Sequence, residues 1–154
     1  MSRWMFRLPA LCLLGVLLVS GAPAVDTPTS TSSGAPDLTT VRAAIKAKNF
    51  DVALAELKSM VVKYQNPDVY SLLGFALRKT GDKQQAMTFY RKALDYDPAH
   101  KGALEYQGEL FLELGQPAKA RENMTKLERL CPTGCEELED LKEAIAHAPP
   151  AKGS

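Results

Sequence analysis

The sequence is short of the residues from which most enzyme chemistry is built. Its 154 residues hold two histidines, His100 and His147. Neither lies near a serine in a motif of nucleophilic catalysis, so both read as solvated surface residues. No Gly-x-Gly-x-x-Gly turn, phosphate-binding loop or metalloprotease helix is present, which leaves hydride transfer, nucleotide hydrolysis and zinc proteolysis without support. The three cysteines have no histidines clustered around them and fall short of a closed zinc site. No run alternates apolar and polar residues with period two, so strands have no signal. The longest apolar run, Leu8 to Val19, is about 12 residues, where a membrane-spanning helix needs roughly 20. With 19 basic residues against 18 acidic, the chain offers no electrostatic footprint for nucleic acid. The expectation is a protein that is not an enzyme and carries no cofactor.

What is present begins with Arg3 and Arg7, the two charges before that short apolar run, which ends in Ser20, Gly21 and Ala22-Pro23-Ala24. A positive start, a short apolar core and a small-x-small end make a secretory signal, so residues 1–24 are expected to be cleaved near Ala24, leaving a periplasmic or secreted chain with no stable membrane anchor. Cys12 leaves with the signal. Taking away the two arginines leaves 17 basic residues against 18 acidic. Residues 25–36, VDTPTSTSSGAP, and 148–154 have almost nothing to bury and read as a disordered linker and tail. The folded domain is expected over 37–147.

Its organisation is a recurrence. In 67–100 the residues Tyr70, Leu73-Gly74, Leu77, Gly81, Ala86, Tyr90, Ala93 and Pro98 fall at positions that return 34 residues later as Leu104, Gln107-Gly108, Phe111, Gly115, Ala120, Met124, Leu127 and Pro132. Each recurring type has a reason. Gly74 and Ala86 suit the close approach of two antiparallel helices. Gly81 and Gly115 suit left-handed helix ends. Pro98 and Pro132 cannot continue a helix. The three- and four-residue spacing of the rest gives each helix one apolar stripe. In 37–66, Val41 to Lys48 and Phe50 to Tyr64 form a further plausible helix pair with Ala53, Leu57 and Met60 at core spacing, although no Leu-Gly pair is there. Glu136 to His147 reads as a closing helix with Leu138, Leu141 and Ile145 on one face and a polar back, started by a Thr133/Glu136 capping box.

This pattern resembles the tetratricopeptide repeat, a 34-residue helix-turn-helix. The resemblance implies an all-α stack of about three helix pairs, a degenerate repeat at 37–66 and repeats at 67–100 and 101–134, with a capping helix at 135–147. The chain is also similar to small exported bacterial proteins of this family whose last repeat runs into a Cys-x-x-x-Cys-Glu-Glu segment. Such proteins are protein-binding adaptors, so the resemblance implies a protein or peptide partner in a concave groove. The family's groove positions fall on Asp68, Ser71, Phe75, Arg78 and Lys79 in one repeat and on Gly102, Glu105, Glu109, Leu112 and Glu113 in the next, with Arg42 and Lys46 ahead of them. Of these, Phe75, Arg78, Lys79, Glu105, Glu109 and Glu113 are the expected partner contacts. Glu105, Glu109 and Glu113 recur at four-residue spacing, where like charges repel and a partner's Lys or Arg would relieve them. The groove asparagines of the carboxylate-clamp version are missing, so recognition of acidic C-terminal peptides is not expected.

Cys131 and Cys135 flank a Pro-Thr-Gly turn. In an oxidising compartment two thiols pair most simply as a local disulfide staple. A redox couple and half of a soft-metal site stay open as the rival reading, a thiol site instead of a groove. Asn123-Met124-Thr125 matches a glycosylation acceptor but lies inside a predicted helix.

Overall fold

A computed structural model describes residues 35–149. The expected signal at 1–24 with Cys12, residues 25–34 of the expected linker and 150–154 of the tail lie outside the described residues. Within them the chain forms seven helices and no strand: α1 (Thr39–Lys46), α2 (Phe50–Lys63), α3 (Pro67–Lys79), α4 (Lys83–Tyr96), α5 (Lys101–Glu113), α6 (Pro117–Leu130) and α7 (Glu136–His147). The all-α stack of helix pairs closed by a last helix is the architecture the 34-residue recurrence predicted.

Local chemistry sets the ends. The Asn66 side chain accepts from the Asp68 and Val69 N–H groups, and Pro67 occupies the first turn, where it loses no hydrogen bond. Asp82 caps α4 by accepting from Gln85 N at 3.0 Å. At the other ends, Gly81 and Gly115 take φ of 98° and 70°, which lets Asp82 N donate to Leu77 O and Gln116 N to Phe111 O. This closes each first helix with a left-handed glycine. The α1–α2 turn uses the same device without the glycine: Lys48 stands at φ 60°, and Asn49 N donates back to Ala44 O.

The expected Thr133/Glu136 capping box does not form. Gly134 sits at φ 92° in a turn where its N–H donates to Cys131 O. The helix therefore begins only at Glu136, with Cys135 as its unadorned N-cap. Thr133 lies in the turn, and no side chain caps the helix's free N–H groups.

Consecutive helices pack pairwise, and in addition α3 packs on α5 and α5 on α7, whereas the even-numbered helices do not pack substantially on one another. The odd helices α3, α5 and α7 thus touch along one face, the inner face, while the even helices stand apart. Gly74 allows the tightest approach within a pair, since a Cβ there would lie 2.6 Å from Tyr90 Cε1 and 3.1 Å from the Ala86 carbonyl oxygen. Gly108, its counterpart 34 residues on, opens instead toward the last helix, where a Cβ would meet both Leu141 methyl carbons at 2.7 Å. Leu141 and Leu138 join Leu104 and Leu127 in one buried cluster, so α7 covers the apolar end of the stack.

Candidate functional site

On the inner face the four odd-numbered helices enclose a cavity of about 340 Å³. Arg42 of α1, Asp68, Ser71 and Leu72 of α3, and Gly102, Glu105 and Tyr106 of α5 contribute to its wall. The remainder comes from Glu136, Glu137 and Asp140 of α7, and His100 closes the rim. Each helix supplies residues from its first two turns, so the cavity follows from the stacking of the odd helices.

The charge in this cavity is one-sided. Arg42 lies 3.7 Å from Asp68, and Lys101 lies 3.9 Å from Glu137. Among the described residues, no cation lies within ion-pair reach of Glu105, Glu136 or Asp140. Glu105 is the buried member of the three, 7% exposed. Burial pushes its carboxyl up to about 8, and Glu109, Asp140 and Glu137 push in the same direction against a weaker pull from Arg78. Tyr106 is pushed up to about 12 by burial and by Glu105 and Glu109. Ser71 is 1% exposed, and its Oγ has no hydrogen-bond partner.

His100 departs from the expected solvated surface residue. Its Nδ1 accepts from Ala103 N at 3.0 Å, capping α5, which leaves the proton on Nε2 to be donated to Asp68 Oδ1 at 3.2 Å. The ring thereby ties the start of α5 to the start of α3. His147 lies exposed at the end of α7.

Farther along the same face lies a second arrangement. The Arg78 guanidinium, 3% exposed, forms an ion pair with Glu109 and another with Glu113 at 2.8 Å. Lys83 reaches the second Glu113 oxygen at 2.9 Å. For Glu113 burial alone raises the pKa, but hydrogen bonds from Lys83 and Arg78 outweigh it and hold the carboxyl below its usual range. The repulsion expected along Glu105, Glu109 and Glu113 is thus relieved at its far end from within the chain. Phe75 packs against Tyr106 with the rings tilted and their centroids 4.8 Å apart, and Lys79 lies over the Phe75 ring.

Of the expected contacts, Glu105 lines the cavity, while Phe75, Arg78, Lys79, Glu109 and Glu113 form this neighbouring network. The acidic wall of Glu136, Glu137 and Asp140 from α7 is not among the expected contacts, since the closing helix reads from sequence only as a cap with a polar back. The signal was available: stepping the 34-residue register once more carries Asp68 and Gly102 onto Glu136, and Leu72 and Tyr106 onto Asp140.

Cys131 and Cys135 stand at disulfide distance, their Cα atoms 5.8 Å apart. Cys131 is 7% exposed and packs with Leu104, Leu127, Leu138 and Leu141. Asn123 is buried, its amide donating to Leu104 O and to Gln107 Oε1, each at 3.0 Å, a setting that denies access to a glycan.

The geometry meets known proteins at one repeat. Residues 67–100 match the family model of the tetratricopeptide repeat. Those residues are α3, α4 and the turn that follows them, the segment holding Gly74, Gly81 and Pro98. A curated relative, cellulose synthase 2 operon protein C of Komagataeibacter xylinus, is 31% identical over 99 residues. The matched region is 64% of this chain but 8% of that protein, so the likeness concerns a short stretch of a much longer molecule.

Proposed function

We propose that this protein is an exported, non-enzymatic interaction module that holds a protein or peptide against the inner face of its odd-numbered helices. The observation that carries this reading is the cavity to which α1, α3, α5 and α7 all contribute. A face to which four helices contribute, with a buried hydroxyl that has no hydrogen-bond partner and a carboxyl that has no ion-pair partner among the described residues, suits a ligand that engages both. The match of residues 67–100 to a repeat family of interaction scaffolds supports it. The relative's printed name places that protein in a cellulose synthase operon, and at 8% of its length nothing of its activity is carried over.

The signal-like start at 1–24 supports export to the periplasm or beyond. In that compartment Cys131 and Cys135 form a staple that fixes the exit of α6 into α7. The burial of Cys131 favours this over a reactive thiol or metal site. Its test is the mass of the mature chain, alkylated with and without reduction. An N-terminus at Val25 with two thiols appearing only after reduction supports the staple in an exported chain, and free thiols in a processed chain overturn it.

For the inner face, the double variant Glu137→Lys/Asp140→Lys reverses two charges on α7 that are not part of the core. Affinity capture from the native compartment is expected to fall at least tenfold while the helical signal and melting curve are kept. Capture that is unchanged in the folded variant contradicts the assignment of this face.

A further inference from the structure

Resting on that reading of the inner face, we propose that the cavity between α3, α5 and α7 receives the cationic side chain of a partner, with Glu105 as its anchor and Ser71 as a second acceptor.

Three features fix the chemistry of the occupant. The first is sign. From α7 come Glu136, Glu137 and Asp140, from α5 Glu105 with Glu109 beyond it, and from α3 Asp68. The cations facing them are engaged by part of this set: Arg42 by Asp68, which His100 also meets, Lys101 by Glu137 at the rim, and Arg78 by Glu109 and Glu113. This leaves Glu105, Glu136 and Asp140 without one among the described residues. The second is the pair of groups with nothing to bind. Glu105 and Ser71 are both more than nine-tenths buried, and both line this cavity. Among the described residues Glu105 has no ion-pair partner, and Ser71 Oγ has no hydrogen-bond partner. A buried hydroxyl without a partner is costly to leave so, and a donor-only occupant serves it and the unpaired Glu105 carboxyl together.

The third feature separates a side chain from a metal ion. No group of three His, Cys, Asp or Glu side chains among the described residues is placed to hold a metal. The carboxylates instead ring about 340 Å³, far more than a bare ion fills. The Tyr106 ring and Leu72 supply apolar wall, which suits the aliphatic stem of an arginine or lysine and the face of a guanidinium. Occupation also brings a proton change. A cation beside Glu105 favours its charged form, so the carboxyl that burial holds up to about 8 titrates lower in the complex, and binding at neutral pH releases a proton.

The test is a titration of the full mature chain with N-acetyl-arginine amide, followed by amide and side-chain carboxyl NMR signals. The control is N-acetyl-citrulline amide, of the same shape without the charge. The expected result is a saturable shift confined to Ser71, Glu105, Tyr106 and the start of α7, at least tenfold weaker for citrulline and in Glu105→Gln, with Glu105 titrating lower in the arginine complex. Equal response to the two probes, no saturable shift, or undiminished binding in Glu105→Gln overturns the proposal. A photo-crosslink from position 140 separates the two readings. If the partner adduct persists in Glu105→Gln while arginine amide has no effect, the cationic pocket falls and the docking face stands. If no adduct forms from position 140, the docking face itself falls.

Discussion

Arg78 and Glu113, 35 positions apart in the chain, meet at 2.8 Å between Nη1 and Oε1, and Arg78 reaches Glu109 with its other terminal nitrogen. One cation from α3 thereby neutralises two of the three stacked carboxylates of α5 and leaves Glu105 as the third. Replacing it strands Glu109 and leaves Glu113 with Lys83 alone. Arg78→Ala is expected to cost about 3 kcal/mol in urea unfolding, in line with removal of one partner from a largely buried ion pair. Arg78→Lys should recover only part of this, because an ammonium cannot span both acids as the fork does.

Glu105 makes stability depend on pH with a definite sign. Its folded-state pKa of about 8 lies above the ordinary carboxyl range, so the folded chain holds a proton that the unfolded chain has lost. Its protonated form is tolerated below about pH 4.5, and stability then declines as pH rises toward 8, where the buried carboxyl must ionise. With partial solvation of a cavity-lining group allowed for, the decline assigned to this residue is about 2 kcal/mol. Glu105→Gln should be more stable than the parent at pH 8 and should lose this part of the slope in denaturant melts run from pH 4.5 to 8.

Gly74 and Gly108 hold the same repeat position against different neighbours. Gly74→Ala presses on the Ala86 carbonyl as well as on Tyr90 and is expected to cost about 2–3 kcal/mol, since the backbone cannot step aside. Gly108→Ala presses only on the ends of Leu141. It should cost less globally while speeding hydrogen exchange selectively in α7.

Helix pairs, glycine ends and proline stops were legible because each depends on a local backbone need that repeats every 34 residues. The site was legible only in part. Glu105 came from its repeat position, but its isolation depends on where Arg78 reaches, a contact between helices that periodicity does not encode. Gln107 and Asn123 show the same limit. Gln107 stands as a departure from the repeat's leucine, and its reason appears only when Asn123 meets it at 3.0 Å in the core.

That polar pair should behave as a unit. Gln107→Leu alone is expected to cost about 1–2 kcal/mol by leaving the Asn123 amide short of an acceptor. In the cycle completed by Asn123→Leu and the double variant, a coupling of about 1 kcal/mol should appear in chemical denaturation.

Lys48 occupies a left-handed position, φ 60°, that glycine fills at the ends of α3 and α5. Lys48→Gly should stabilise the chain by about 1 kcal/mol by removing the strain of a side chain there, read as a higher melting temperature with unchanged helical signal.

The docking face is tested most directly by a photo-crosslinking residue at position 140, inside the cavity on α7, compared with one at position 88, exposed on α4, each in the full-length chain in its native compartment. The account predicts a discrete protein adduct from position 140 and none from position 88, with the adduct reduced by excess arginine amide. An adduct from position 88 alone, or the same adducts from both positions, would contradict it.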